Sequence, residues 1–239
     1  MLLRSLAIQG SWNYETMLGN GIGFCMEPAL RLLPGGIHAP EFKAAMARQS
    51  KYFNAHPYLA AVAVGALARA ELDGVPASKI ERFRTALAGP LGSVGDRLVW
   101  AGWLPFCSLA ALAAFGMGAS ALTVLVIFLG TYNVGHVALR AWGLRTGWNR
   151  GLLVAQSLGN PVLRRGPQVI VPMAAFAAGI GVPLALLRVI GPGRALLGVA
   201  LGFAVLGAFA IVRLQGRIEG WRLALVAYAA AVLFSVTSR

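Results

Sequence analysis

The stretch LVWAGWLPFCSLAALAAFGMGASALTVLVIFLGTYNVGHVAL, Leu98–Leu139, contains no Asp, Glu, Lys or Arg. It is long enough for two apolar helices of about 20 residues, the length that crosses the hydrocarbon core of a bilayer. Gly116 to Ser120 is the natural turn between them, so spans are expected at about 98 to 117 and 120 to 139. The whole chain agrees with this reading. Of its 239 residues, 58% are hydrophobic and only 12% are charged, against roughly a quarter charged in a soluble domain. Working outward toward the carboxy terminus, further spans are expected at about 169 to 188, 195 to 212 and 222 to 237. The expected fold class is all-α: a polytopic membrane protein with amino-terminal amphipathic or re-entrant helices followed by about five transmembrane helices.

The net charge of +13, from 21 Lys and Arg against 8 Asp and Glu, resembles a nucleic-acid footprint only until its distribution is read. Up to Asp96 the balance is +2, and beyond it +11, with Glu219 the sole acid. Arg residues between apolar spans follow the positive-inside rule, so topology explains the charge and no nucleic-acid partner is implied. The turn at Gly116 to Ser120 is expected outside. Arg140, Arg145, Arg150, Arg164 and Arg165 are expected in an inner connection after the second span. The third span contains Pro172, Gly179, Gly181 and Pro183, which could interrupt it as in the broken helices of transporters.

Residues 1–97 hold nearly all the acid and only short apolar runs, and are expected to form an amphipathic and re-entrant region distinct from the transmembrane region 98–239. Glu41 to Phe53 reads as an amphipathic helix. Pro57 to Leu67 is apolar but too short to span. Ser78 and Glu81 stand at capping-box spacing, and the helix they open is expected to stop at Gly89 and Pro90.

Signatures of soluble enzymes are absent: the chain has no H-E-x-x-H, G-x-S-x-G or P-loop sequence. Cys25 and Cys107 form no C-x-x-C pair, and His38, His56 and His136 lack metal-ligand spacing. No catalytic residue, metal or cofactor is therefore expected. Polar groups flanked by apolar sequence need a partner or a polar ligand. Such groups occur in Gln9 to Glu15, whose Asn13, Glu15 and aromatic rings are of the kind that hold a sugar, and whose Trp12 and Tyr14 also suit an interfacial anchor. They recur in Tyr52 to Tyr58, where Asn54 and His56 are expected at an exposed helix junction beside Pro57. In Gly89 to Asp96, glycine recurs at Gly89, Gly92 and Gly95, as in a loop that approaches a ligand or another chain closely. Asp96 beside Arg97 also reads as an ion pair and helix cap. Thr131, Asn133 and His136 form a weaker cluster, suited to holding helices together.

In this order, the motifs resemble those of the IID components of mannose/fructose/sorbose-family phosphotransferase systems. IQGSWNYETM (Ile8–Met17) is similar to that family's LQGSWNYE motif, and YFNAHPYLA (Tyr52–Ala60) to its FFN-x-HP-[YF]-LA signature. LAGPLGSVGDRLVW (Leu87–Trp100) resembles MGPLAG-[IV]-GD-x-x-FW, and Tyr132 to Gly151, with Gly147, resembles an aromatic and glycine-rich segment. Arg97 and Val99 depart from the pattern, and the carboxy-terminal third carries no motif that aligns. The resemblance implies a non-catalytic subunit of the bacterial cytoplasmic (inner) membrane. With an IIC subunit it would form the path for a hexose-type sugar, which IIB phosphorylates on uptake with phosphate relayed through IIA. Asn13, Glu15, Asn54, His56 and Asp96 would line the sugar site or the IIC interface. Rival readings are a membrane-embedded enzyme using Asp96 and His56 on a lipid substrate, an altered or regulatory member, and a structural or pore-forming protein.

Overall fold

The computed structural model describes residues 1–190, together with the helical positions Gly198 and Gly202. The spans expected at 195 to 212 and 222 to 237 lie outside the described residues apart from those two glycines. Within the described residues the structure is helical, and the only strand-like pairings are single bridges from Met17 to Asn13 and to Phe53.

The amino-terminal region is made of short helices: α1 (Leu2–Ser5), α2 (Gly19–Leu30), α3 (Pro40–Gln49) and α4 (Ala60–Leu72). α3 begins with Pro40 at its first position and Glu41 in its first turn, and carries Arg48 in its last, an order that suits the helix dipole. It ends at Gln49, so the helix expected to reach Phe53 is shorter. Phe53 instead donates its N–H to Thr16 O at 3.1 Å and accepts from Leu18 N–H at 3.0 Å, which ties the start of α2 to this connection. α4 is the centre of the core. From Ala60 to Ala68 its residues are inaccessible to solvent, consistent with the expectation of a buried segment too short to span. Its buried Glu71 accepts two bonds from Arg48, at 2.6 and 2.9 Å, and one from Gln49 at 2.6 Å, locking α3 onto α4.

Among the described residues, three helical runs are long and apolar enough to cross a membrane: Ala77–Gly116, Ala121–Gly159 and Pro161–Val189. The first joins α5 (Ala77–Gly95), a π-helical segment (Asp96–Trp103) and α6 (Leu104–Gly116) without a break. The expected stop at Gly89 and Pro90 therefore does not occur. Proline removes one backbone donor, but Leu87 and Leu91 on either side are buried, and this packing holds the helix through Pro90. The expected capping box is also absent. The helix starts at Ala77, which puts Ser78 inside the first turn, and Glu81 is engaged by Lys51 at 2.6 Å. Buried Arg84 donates to the carbonyls of Tyr52 (2.7 Å), Gln49 (3.2 Å) and Lys51, groups that α3 leaves open where it ends.

α7 (Ala121–Arg150) is capped by Ser120, whose Oγ accepts from Thr123 N–H at 3.2 Å. It runs past the expected end near 139, so Arg140, Arg145 and Arg150 lie on a helix rather than in a connection. A 3-10 segment (Gly151–Gly159) leads to α8 (Pro161–Ile190), which is continuous through Pro167, Pro172 and Pro183. The interruption considered for the third span is thus not present. α8 packs on α6, where a Cβ on Gly116 would meet Leu184 Cβ at 2.5 Å. α7 packs on α4, and here small residues decide the spacing: a Cβ on Gly147 would lie 2.1 Å from Val62 O. Gly143 and Gly147 form a G-x-x-x-G pair on α7 facing α4. The free cysteines Cys25 and Cys107 are both buried in packing positions.

Candidate functional site

The four motif segments converge on one buried elbow, Phe53–Tyr58, between α3 and α4. The first reaches it through the Met17–Phe53 bridge. The third closes over it from α5 and the π segment. A Cβ on Gly95 would lie 2.2 Å from His56 Cβ, so only glycine lets this helix rest on the imidazole. Gly92 is near Ala55 Cα (3.7 Å from its ideal Cβ position), whereas Gly89 faces nothing within 4 Å. The glycine run expected as a loop is therefore helical. Its backbone groups belong to the helix, and its role is close approach rather than presentation of free N–H groups.

His56 is 1% exposed, so the expectation of an exposed junction holds for Asn54 but not for His56. Its Nδ1 accepts from Tyr58 N–H at 3.2 Å, and its Nε2 has no partner among the described residues. The ring meets Trp100 at 4.8 Å and Tyr58 at 5.0 Å between centroids. Burial, reinforced by the positive charge of Arg140, pushes its pKa down to about 4. In the unfolded chain His titrates near 6.5, so between about 4 and 6.5 the unfolded state binds the extra proton. Stability from neutral His56 is complete above about 6.5 and is lost as pH falls toward 4, by roughly 3 kcal/mol for this group alone. The thermal midpoint of the detergent-solubilised chain should fall over that window, and His56→Phe should flatten the fall. An unchanged slope in His56→Phe would remove His56 as its cause.

Asn13 builds its own turn. Its Oδ1 accepts from Glu15 and Thr16 N–H, both at 2.9 Å, and its Nδ2 donates to Thr16 Oγ1 at 2.9 Å and Ser11 O at 3.1 Å. Asn13→Ala should cost about 1–2 kcal/mol, and Asn13→Asp less because the acceptor is kept. Equal midpoints for the two variants would show that the turn does not depend on that oxygen. Glu15, Asn54 and Asp96 are exposed, and none takes part in a salt bridge among the described residues, so the Asp96–Arg97 ion pair is not formed. Arg97 Nε donates instead to Ser93 O at 3.2 Å.

Around the five candidates the structure gathers Tyr58, Tyr132 and Arg140, and it draws in His136 from the weaker cluster. Tyr58 Oη and Tyr132 Oη are 2.5 Å apart. His136 stacks on Tyr58 with centroids 4.9 Å apart, and the Arg140 guanidinium lies 4.6 Å over the same ring. Arg140 also donates to Pro57 O at 3.3 Å and to Ser5 O. Tyr132, His136 and Arg140 stand four residues apart on α7, and Phe128, one step earlier, stacks on Tyr132 at 5.8 Å. That i, i+4 stripe in an otherwise apolar helix was the signal available in the sequence. Thr131 and Asn133 lie off the stripe and donate to carbonyls of their own helix, those of Ile127 and Leu129, while His136, the third member of that cluster, joins α7 to the elbow as expected.

Residues 1–182 match the PTS system mannose/fructose/sorbose family IID component. The chain is 33% identical over 172 residues to the mannose-specific EIID component of Escherichia coli (strain K12), which covers 69% of this chain and 59% of that protein. It is 31% identical over 188 residues to the sorbose-specific EIID component of Klebsiella pneumoniae, 75% of this chain and 66% of that protein. The chain thus spans less than two thirds of the length of these relatives. One solved structure, described as a membrane protein, superposes with a TM-score of 0.73 at 22% identity, covering 99% of this chain and 94% of that one. A chain from the cryo-EM structure of the mannose transporter ManYZ with microcin E492 superposes with a TM-score of 0.57 at 24% identity, with the same coverage. The helical membrane fold and the motif-bearing first 182 residues agree: the chain belongs to the mannose/fructose/sorbose family of phosphotransferase-system IID components.

Proposed function

We propose that the chain is the IID subunit of a mannose-type permease, a multi-pass protein of the bacterial inner membrane that forms the sugar path together with an IIC subunit. It does no phosphoryl transfer itself. IIA and IIB carry the phosphate, and IIB phosphorylates a hexose-type sugar on uptake. The observation that carries this reading is the convergence of all four family motifs on the Phe53–Tyr58 elbow, with a buried His56 Nε2 still open to a partner. The relative described as the mannose transporter ManYZ supports a two-subunit arrangement. The rival reading as a lipid-modifying membrane enzyme is not favoured by the family match.

Within this function, residues 1–97 carry the first two motifs and most of the third, and 98–239 the membrane scaffold together with the fourth motif, the chain running through that boundary as continuous helix. Glu15, Asn54 and Asp96, being exposed, contact the sugar or IIC directly. His56, Gly92 and Gly95 set the surface from which they act, and Asn13 holds Glu15 in place.

The test is phosphoenolpyruvate-dependent uptake of labelled hexose in a bacterium lacking its own IID protein, supplied with this chain and its IIC, IIA and IIB. Uptake and co-purification with IIC are expected, and uptake that persists without this chain would sink the proposal. In the same assay Asn54→Ala and Asp96→Asn should lower uptake while changing stability by less than about 0.5 kcal/mol, as exposed substitutions do. Full uptake in both variants would remove these residues from the site.

A further inference from the structure

Two cavities adjoin on the carboxy-terminal half of α7, and their linings differ in kind. One, of about 320 Å³, is bounded by apolar side chains of the π segment, α7 and α8, among them Leu98, Leu139, Leu163 and Ile170. The other, of about 430 Å³, is bounded by Thr146, Asn149, Arg150, Gln156 and Ser157 at the junction of α7 with the 3-10 segment. Trp142 and Asn160 line both, so the two lie side by side.

Arg150 gives the polar cavity a positive charge. None of its lining residues is acidic, and the sequence has no Asp or Glu from Arg97 to Arg188. Asp73, just past the end of α4, is already held by Arg69 at 2.7 and 2.9 Å. Arg150 forms no salt bridge among the described residues. Asn160 spends its Oδ1 on Val162 N–H at 2.9 Å, which caps α8, and its amide N–H groups make no hydrogen bond among the described residues.

Depth separates the two cavities in the same sense. The 30 residues of α7 extend about 45 Å, whereas the hydrocarbon core is about 30 Å thick. If the uncharged end of α7 marks one interface, the turn from Trp142 to Arg150 projects into the opposite headgroup layer, where Trp142 and Trp148 suit an aromatic belt. The apolar cavity then lies at acyl-chain depth.

We infer that the paired cavities are a binding site for one anionic phospholipid, with its phosphate on Arg150 and the neighbouring amides and hydroxyls, and an acyl chain between α7, α8 and the π segment. The attraction of one arginine for an anionic headgroup corresponds to about a five-fold preference.

The full chain, reconstituted in nanodiscs containing equal phosphatidylglycerol and phosphatidylcholine and then released for native mass spectrometry, should retain phosphatidylglycerol selectively. Arg150→Gln should lower its occupancy about five-fold and Arg150→Lys should keep most of it. Ala138→Phe, which enlarges an exposed residue lining the apolar cavity, should lower occupancy by either lipid. Equal retention of the two lipids by the unmodified chain overturns the inference, as does selectivity that survives Arg150→Gln. Millimolar inorganic phosphate should leave the bound lipid in place. Displacement by phosphate would assign the polar cavity to a free anion and remove the lipid.

Discussion

Gly147→Ala is expected to lower the thermal midpoint of the detergent-solubilised chain by about 6–12 °C, a loss of roughly 3 kcal/mol in a protein of this size. The physical reason is where the new methyl would sit. An ideal Cβ at Gly147 lies 2.1 Å from Val62 O and 2.8 Å from Ala66 N, both backbone atoms of α4. A side chain could rotate away, but a buried helix can only translate, and α4 is packed on every side. Gly130, on the same helix, provides the control. Nothing among the described residues lies within 4 Å of its Cβ position, so Gly130→Ala should be neutral or stabilising by up to about 1 kcal/mol through helix propensity. Opposite signs for the same substitution on one helix are the expected result. A shared sign would mean that close approach does not determine the α4–α7 crossing.

Arg140→Met should destabilise by about 2–4 kcal/mol and abolish phosphoenolpyruvate-dependent uptake in the assay above. Arg140 is 3% exposed, and it joins α7 to both the amino terminus, through Ser5 O, and the elbow, through Pro57 O and the Tyr58 ring. Two effects oppose one another. Methionine relieves the cost of burying a charge, but it leaves two carbonyls short of a donor at about 1–3 kcal/mol each and removes a cation–π contact of about 2 kcal/mol. The loss wins because Pro57 O has no other donor among the described residues, whereas Ser5 O keeps the Ile8 N–H at 3.3 Å. Arg140→Lys keeps the charge but gives up the planar group that stacks on Tyr58, and should fall between the two. An unchanged midpoint in Arg140→Met would show that the elbow is held by apolar packing alone.

The membrane class, the turn at Gly116 to Ser120 with an apolar helix on either side, and the shortness of α4 were legible in the sequence because hydrophobicity and length decide them; the outer ends of those two helices, at Ala77 and Arg150, were not. Local punctuation was less reliable. Gly89–Pro90 reads as a stop when only propensity is counted, yet the burial of Leu87 and Leu91 outweighs one missing hydrogen bond. Ser78 and Glu81 have capping-box spacing, but the long-range bond from Lys51 takes the carboxylate. For the site, the motif residues were found, but their environments were not. His56 looked exposed because Asn54 and Pro57 suggest a surface turn, and only α5 folding over it through Gly95 buries the ring. Arg140 was read as a topology charge because single-residue counting cannot distinguish an arginine outside the bilayer from one that points into protein.

The burial of α4 also constrains biosynthesis. Its 13 residues extend about 20 Å, too short to rest across a bilayer alone, and it reaches its final position only when α7 covers it. α7 leaves the ribosome after α5, the π segment and α6, a delay of several seconds at about 5–20 residues per second. During that interval α4 needs a holding site, at the insertion machinery or the membrane surface. Nascent chains carrying Ala63→Cys on α4 and halted before Gly147 should therefore react with cysteine-labelling reagents at that position, and chains that include Gly147 should not. Maturation of this protein is thus paced by the arrival of a helix that lies far from α4 in sequence.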